Sequence, residues 1–207
     1  MKAQTAFEEK LNTLSHALGA FLGVVGLIVL LLKSTHKSWS TFSIIVYGLS
    51  VIILFSASAL YHAAKSERKK QYYRIVDHVS IYLLIAGTYT PVVLLLLAFS
   101  KGWLLFWLVW GIAAIGAILK LFFTGKFGII STLLYLVMGW LIMIDFKALV
   151  EVMPSNGLQL LMAGGAFYTI GIIFYAIRKI PFNHVIWHFF VLGGAICHYF
   201  MILNYVI

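Results

Sequence analysis

Residues 14–32 read LSHALGAFLGVVGLIVLLL, with no Asp, Glu, Lys or Arg among them. A helix needs about 20 apolar residues to cross the hydrocarbon core of a bilayer, and this stretch supplies them. Six more stretches do the same: 42–61, 78–99, 103–121, 129–149, 158–177 and 185–206. Their apolar runs are continuous rather than alternating, which argues against a membrane β-barrel. No small-residue cleavage site follows the first stretch, so it reads as a retained span rather than a signal peptide. The expected fold is an all-α integral membrane bundle of seven helices, one domain over residues 1–207, multi-pass in the cell membrane.

Composition agrees. Of 207 residues, 63% are hydrophobic and only 10% charged, with a mean hydropathy of +1.02. A water-soluble globule lacks the polar surface it needs at such values, and disorder requires the opposite bias. The single cysteine, Cys197, excludes an internal disulfide framework and reads as a small buried hydrophobe.

Orientation follows from Lys and Arg, which favour the cytoplasmic side. The N-terminus and the second, fourth and sixth joints carry Lys2, Lys10, Lys65, Arg68, Lys69, Lys70, Arg74, Lys120, Lys126, Arg178 and Lys179. The other side carries Lys33, Lys37, Lys101 and Lys147. The N-terminus is therefore expected in the cytoplasm and the C-terminus outside. This asymmetry, with anionic lipid headgroups, accounts for the net charge of +9. Membrane lipids are the expected partners, and no motif points to nucleic acid. The basic run from Lys65 to Arg74 reads as topology and lipid attraction. Oligomeric state is not legible.

Ionisable groups inside spans mark function by default. Here they are His16, His62, Asp77, His78, Asp145, His184, His188 and His198. His184 and His188 are four apart, so on a helix both rings share one face. That spacing suits two imidazoles on one metal ion; it also suits a polar interfacial face. The charge-derived topology, which used none of these residues, adds His62 and Asp77 at the same end, and this favours a shared metal site. Ser58 lies one turn before His62 on the same face. Its hydroxyl either points at the site or bonds back to its own helix.

The segment Ser58-Ala59-Leu60-Tyr61-His62, then Asp77, then His184-Val185-Ile186-Trp187-His188, resembles the three motifs of the progestin and adipoQ receptor family, and in particular its bacterial haemolysin III branch. The stretch Glu8-Glu9-Lys10-Leu11-Asn12-Thr13-Leu14-Ser15-His16 and the segment Gly87-Thr88-Tyr89-Thr90-Pro91 are similar to that branch as well. The resemblance implies a seven-helix bundle with a cytoplasm-facing zinc site. It implies that His62, His184 and His188 bind zinc, that Asp77 reaches the water on the metal, and that Ser58 lies beside the site.

Three neutral imidazoles leave a fourth zinc position open for water, as in catalytic sites; imidazole also suits iron, copper and nickel. The leading expectation is hydrolysis of a lipid acyl bond, amide or ester, with Asp77 as the proton acceptor and Ser58 helping at the oxyanion. One alternative is a non-enzymatic, receptor-like or regulatory protein whose zinc only clamps helices. Another is a membrane-lytic pore, which the scarcity of intramembrane charge disfavours.

The other candidates have narrower expectations. His16 is a candidate neighbour of the ligands. His78 is turned about 100° from Asp77 and is expected to be packed or interfacial. His198 is expected to bond a neighbouring helix, and Asp145 to be an interfacial charge beside Lys147. Gly19, Gly23, Gly26, Gly111, Gly116, Gly164, Gly165, Gly193 and Gly194 are expected to let helices approach. Pro91 is expected to kink the third span.

Overall fold

The computed structural model describes residues 4–35, 38–126, 128–177 and 179–207. Lys2, Lys37 and Arg178 lie outside these. The helices are α1 (Ala6–Leu32), α2 (Ser40–Ala63), α3 (Glu67–Leu95), α4 (Gly102–Phe123), α5 (Gly128–Gly139), α6 (Phe146–Val152), α7 (Ser155–Ala176) and α8 (Asn183–Tyr205). A 3₁₀ segment, Leu141–Asp145, joins α5 to α6, and together these three pieces make the fifth span. Seven helices are therefore long and apolar enough to cross a membrane, and no strand occurs among the described residues.

α1 begins well before the apolar run because Thr5 and Glu8 form a reciprocal capping box. The Thr5 hydroxyl accepts from the Glu8 amide at 3.2 Å, and Glu8 accepts from the Thr5 amide at 2.7 Å. This extra turn carries Glu9 into the bundle. α3 also begins early, at Glu67, so most of the basic run is helical. Lys70 and Arg74 are thereby fixed on a helix that enters the core.

The helices close around a centre. α1 packs on α2 and α8; α3 packs on α2, α4, α5 and α8; α7 packs on α8 and α5. Large apolar side chains such as Phe21, Leu32, Trp107, Phe122 and Ile129 point outward, as a lipid-facing surface requires. Without a hydrophobic drive between helices in lipid, close packing holds them together. At Gly87 an added Cβ would lie 2.2 Å from the Ser50 hydroxyl of α2, and at Gly19 it would lie 2.5 Å from the Phe55 ring. Gly111, by contrast, has nothing within 4 Å of such a Cβ. It faces open space and is not a packing glycine.

The break in the fifth span is compensated from α3. The Tyr89 hydroxyl donates to the Gly139 carbonyl at 2.8 Å and accepts from the Ile142 amide at 2.8 Å. Backbone groups freed inside a bilayer must find such partners. Asp145, at the end of the 3₁₀ segment, is buried and accepts from the Ser100 hydroxyl and the Lys101 amide, both at 2.9 Å. It tethers the fifth span to the start of α4. His198 sits 3.3 Å from the Leu161 carbonyl of α7, the neighbour-helix bond expected.

Candidate metal centre

Two helix ends bring three imidazoles together. His62 is on the last turn of α2 and His184 and His188 are on the first two turns of α8. One nitrogen from each lies within 4.8 Å of the other two. The ring centroids are 4.8 to 5.1 Å apart. His188 is 1% exposed and His62 5%. Such a set could hold a metal ion.

α8 is aimed by the turn before it. Phe182 takes a left-handed conformation (φ 55°) directly ahead of Asn183, which is uncommon for a bulky residue. The Asn183 side-chain Nδ2 donates to the Phe174 carbonyl at 3.0 Å, tying the start of α8 to α7.

The hydrogen bonds around the rings suit cation binding through Nε2. Glu9 of α1 lies 2.6 Å from His62 Nδ1. A carboxylate can only accept, so Nδ1 carries the proton and the Nε2 lone pair is free. That Nε2 is buried with no hydrogen-bond partner, an orphaned acceptor that a metal ion satisfies. Lys70 bonds the other Glu9 oxygen and lies over the Tyr61 ring. On a second ligand, the Ser15 hydroxyl donates to the Asn12 carbonyl at 3.0 Å and faces His188 Nδ1 at 3.4 Å. With its proton committed, Ser15 accepts from Nδ1, again leaving Nε2. Partners of this kind fix ring orientation and tautomer in metal sites. The donor set thus fits a divalent ion.

His16 is also here. Its ring stacks on His188 with centroids 3.6 Å apart and meets Phe55 edge-on at 4.9 Å. It is not a member of the close trio. The α1 residues Asn12, Ser15, His16 and Gly19 form one buried stripe, so this helix lies across the ligands.

Asp77 of α3 stands beside the trio, not within it. The Ser58 hydroxyl stands beside its carboxylate, and His62 and Arg74 lie within electrostatic reach. Ser58 therefore points at the site. Ser58, Asp77, His184 and His188 all line a cavity of about 1200 Å³ that extends between α3, α5, α7 and α8 to Trp140 and His198. His78 lines the same cavity with its Nδ1 buried and unpartnered. It is on the cavity wall, outside the trio.

Glu9, Ser15 and Lys70 are the residues that sequence reasoning missed. Glu9 is seven residues, two helical turns, before His16 and so shares its face. This was the signal available.

The family description "Haemolysin-III related" matches residues 4–199. "Hemolysin-3" of Bacillus cereus is 43% identical over 202 residues, covering 97% of this chain and 92% of its own. "Hemolysin-3 homolog" of Bacillus subtilis (strain 168) is 40% identical, covering 97% and 95%. The human "Monocyte to macrophage differentiation factor" is 31% identical, covering 97% and 85%.

Proposed function

This chain belongs to the haemolysin-III related family of multi-pass membrane proteins, and from that premise we propose that it is a zinc-dependent hydrolase of a lipid acyl bond, amide or ester. The observation that carries the reading is the placement of Ser58, Asp77, His184 and His188 on one largely apolar cavity. His62, His184 and His188 would hold the zinc. When bound, zinc supplies Lewis acidity and makes water a nucleophile near neutral pH.

The chain's own groups supply the rest. Asp77 takes the proton of the attacking water and returns it to the departing amine or alcohol. Ser58 stands beside the Asp77 carboxylate on the same cavity and helps at the oxyanion. Glu9 and Ser15 hold the His62 and His188 rings. The cavity receives the acyl chain. Basic residues at the N-terminus and inner joints favour an orientation with this end of the bundle at the cytoplasmic leaflet. A metal used only as a clamp between α2 and α8 needs neither a cavity nor an unligated carboxylate beside it. Both features favour chemistry.

The test uses purified chain in lipid nanodiscs with fluorogenic acyl amides and esters. Asp77→Asn is expected to keep its zinc and to lose hydrolysis by about 10²-fold or more. His188→Ala is expected to lose both. Hydrolysis unchanged in both variants would overturn the proposal. Liposome leakage that survives loss of zinc would support the lytic reading instead.

A further inference from the structure

Lys120, on the last turn of α4, is 5% exposed and lines the cavity. Its long apolar stem is covered while the residue opens onto the cavity, where an ammonium favours an anion. Among the described residues no carboxylate lies within ion-pair distance of it. What surrounds it makes the field more positive. Arg74 of α3 is a second positive charge within electrostatic range, and His78 adds a ring nitrogen that can hydrogen-bond. The His78 Nδ1 on the cavity wall has no hydrogen-bond partner. The α4–α5 turn is bent by Gly125 (φ 88°), and a Cβ there would lie 3.5 Å from the Arg74 guanidinium. Lys126 and Lys179 line the same cavity from the neighbouring turns. Two carboxylates share it. Asp77 lies beside Ser58 and within electrostatic range of His62 and Arg74, and Glu8 is engaged in the Thr5 capping box.

We propose that Lys120, with Arg74 and His78, receives a phosphate group, so that the molecule entering the cavity is a phosphate-bearing amphiphile and not a neutral lipid. The inference rests on the hydrolase reading for its substrate but not for its binding event. Phosphate suits the site because ammonium and guanidinium groups bond its oxygens strongly and an apolar cavity accepts the attached chain. The phosphate could be lipid-borne or free, and competition separates the two.

Binding to the full chain in neutral detergent is read by native mass spectrometry. The probes are phosphatidic acid, diacylglycerol of the same chains, and inorganic phosphate. Wild type is expected to bind phosphatidic acid about tenfold or more tightly than diacylglycerol. Lys120→Gln is expected to lose this preference, Lys120→Arg to keep it, and both to keep wild-type zinc content. Arg68→Gln with Lys69→Gln, on the exposed face of α3, is expected to leave it unchanged. Displacement by inorganic phosphate assigns the site to phosphate whatever its carrier; resistance to displacement assigns it to the lipid-borne group. Equal binding of the two lipids by wild type would overturn the proposal. So would a preference that survives Lys120→Gln. A headgroup preference intact in His188→Ala, beside unchanged hydrolysis, would sink the hydrolase reading and spare this one.

Discussion

His16 lies face to face with His188, ring centroids 3.6 Å apart and planes within 14°. The first helix therefore presses an imidazole onto a candidate ligand contributed by the last. Position 16 should then govern how firmly His188 is held. His16→Ala is expected to weaken zinc binding by about tenfold or more, the usual cost of losing a supporting group. His16→Phe, which keeps a ring in the stack, should recover much of it. Competition with a fluorescent chelator measures both, and unaltered affinity in His16→Ala would refute the role.

Glu9 offers a cleaner perturbation, because it touches His62 through a single 2.6 Å bond. Glu9→Gln keeps the shape and removes the charge. Zinc affinity is expected to fall about 10- to 100-fold, with Lys70→Met showing a smaller loss through the same carboxylate. Chelator competition again reads the outcome.

Gly87 and Gly111 make a matched pair for the packing of the bundle. Gly87→Ala drives a methyl group into Ser50 and is expected to destabilise the protein by about 1–3 kcal/mol. Gly111→Ala meets nothing and should shift stability by less than about 0.5 kcal/mol. Thermal unfolding followed by tryptophan fluorescence distinguishes them.

Tyr89→Phe removes both bonds that cover the interruption between α5 and the 3₁₀ segment. A cost of about 1–3 kcal/mol is expected for leaving buried backbone groups unmatched. Hydrogen exchange should accelerate at the Ile142 amide and leave the α1–α2 pair unaffected.

Much of this was legible in the sequence. The seven spans follow from continuous apolar runs, and the His62, His184 and His188 convergence follows from helical spacing combined with the distribution of Lys and Arg. The rest depends on contacts that no local pattern encodes. Glu9 meets His62 from a helix 53 residues away. Arg74 and Lys70 belong to a basic run that looks the same whether it decorates a membrane surface or, as here, turns partly inward. The break in the fifth span is invisible to hydropathy because its residues stay apolar throughout. It is stable because Tyr89 arrives from α3. The tether made by Asp145 is hidden for a related reason: its partners, Ser100 and Lys101, are far from it in the chain.

The central claim is tested most directly by the metal content of the purified full-length chain, wild type beside His62→Ala, His184→Ala and His188→Ala, with X-ray absorption at the metal edge. The account predicts one zinc per wild-type chain, scattering from three imidazoles, and loss of the metal in each variant while the helical content by circular dichroism stays the same. Wild-type protein that takes up no metal after exposure to zinc, or variants that retain it in full, would contradict the account.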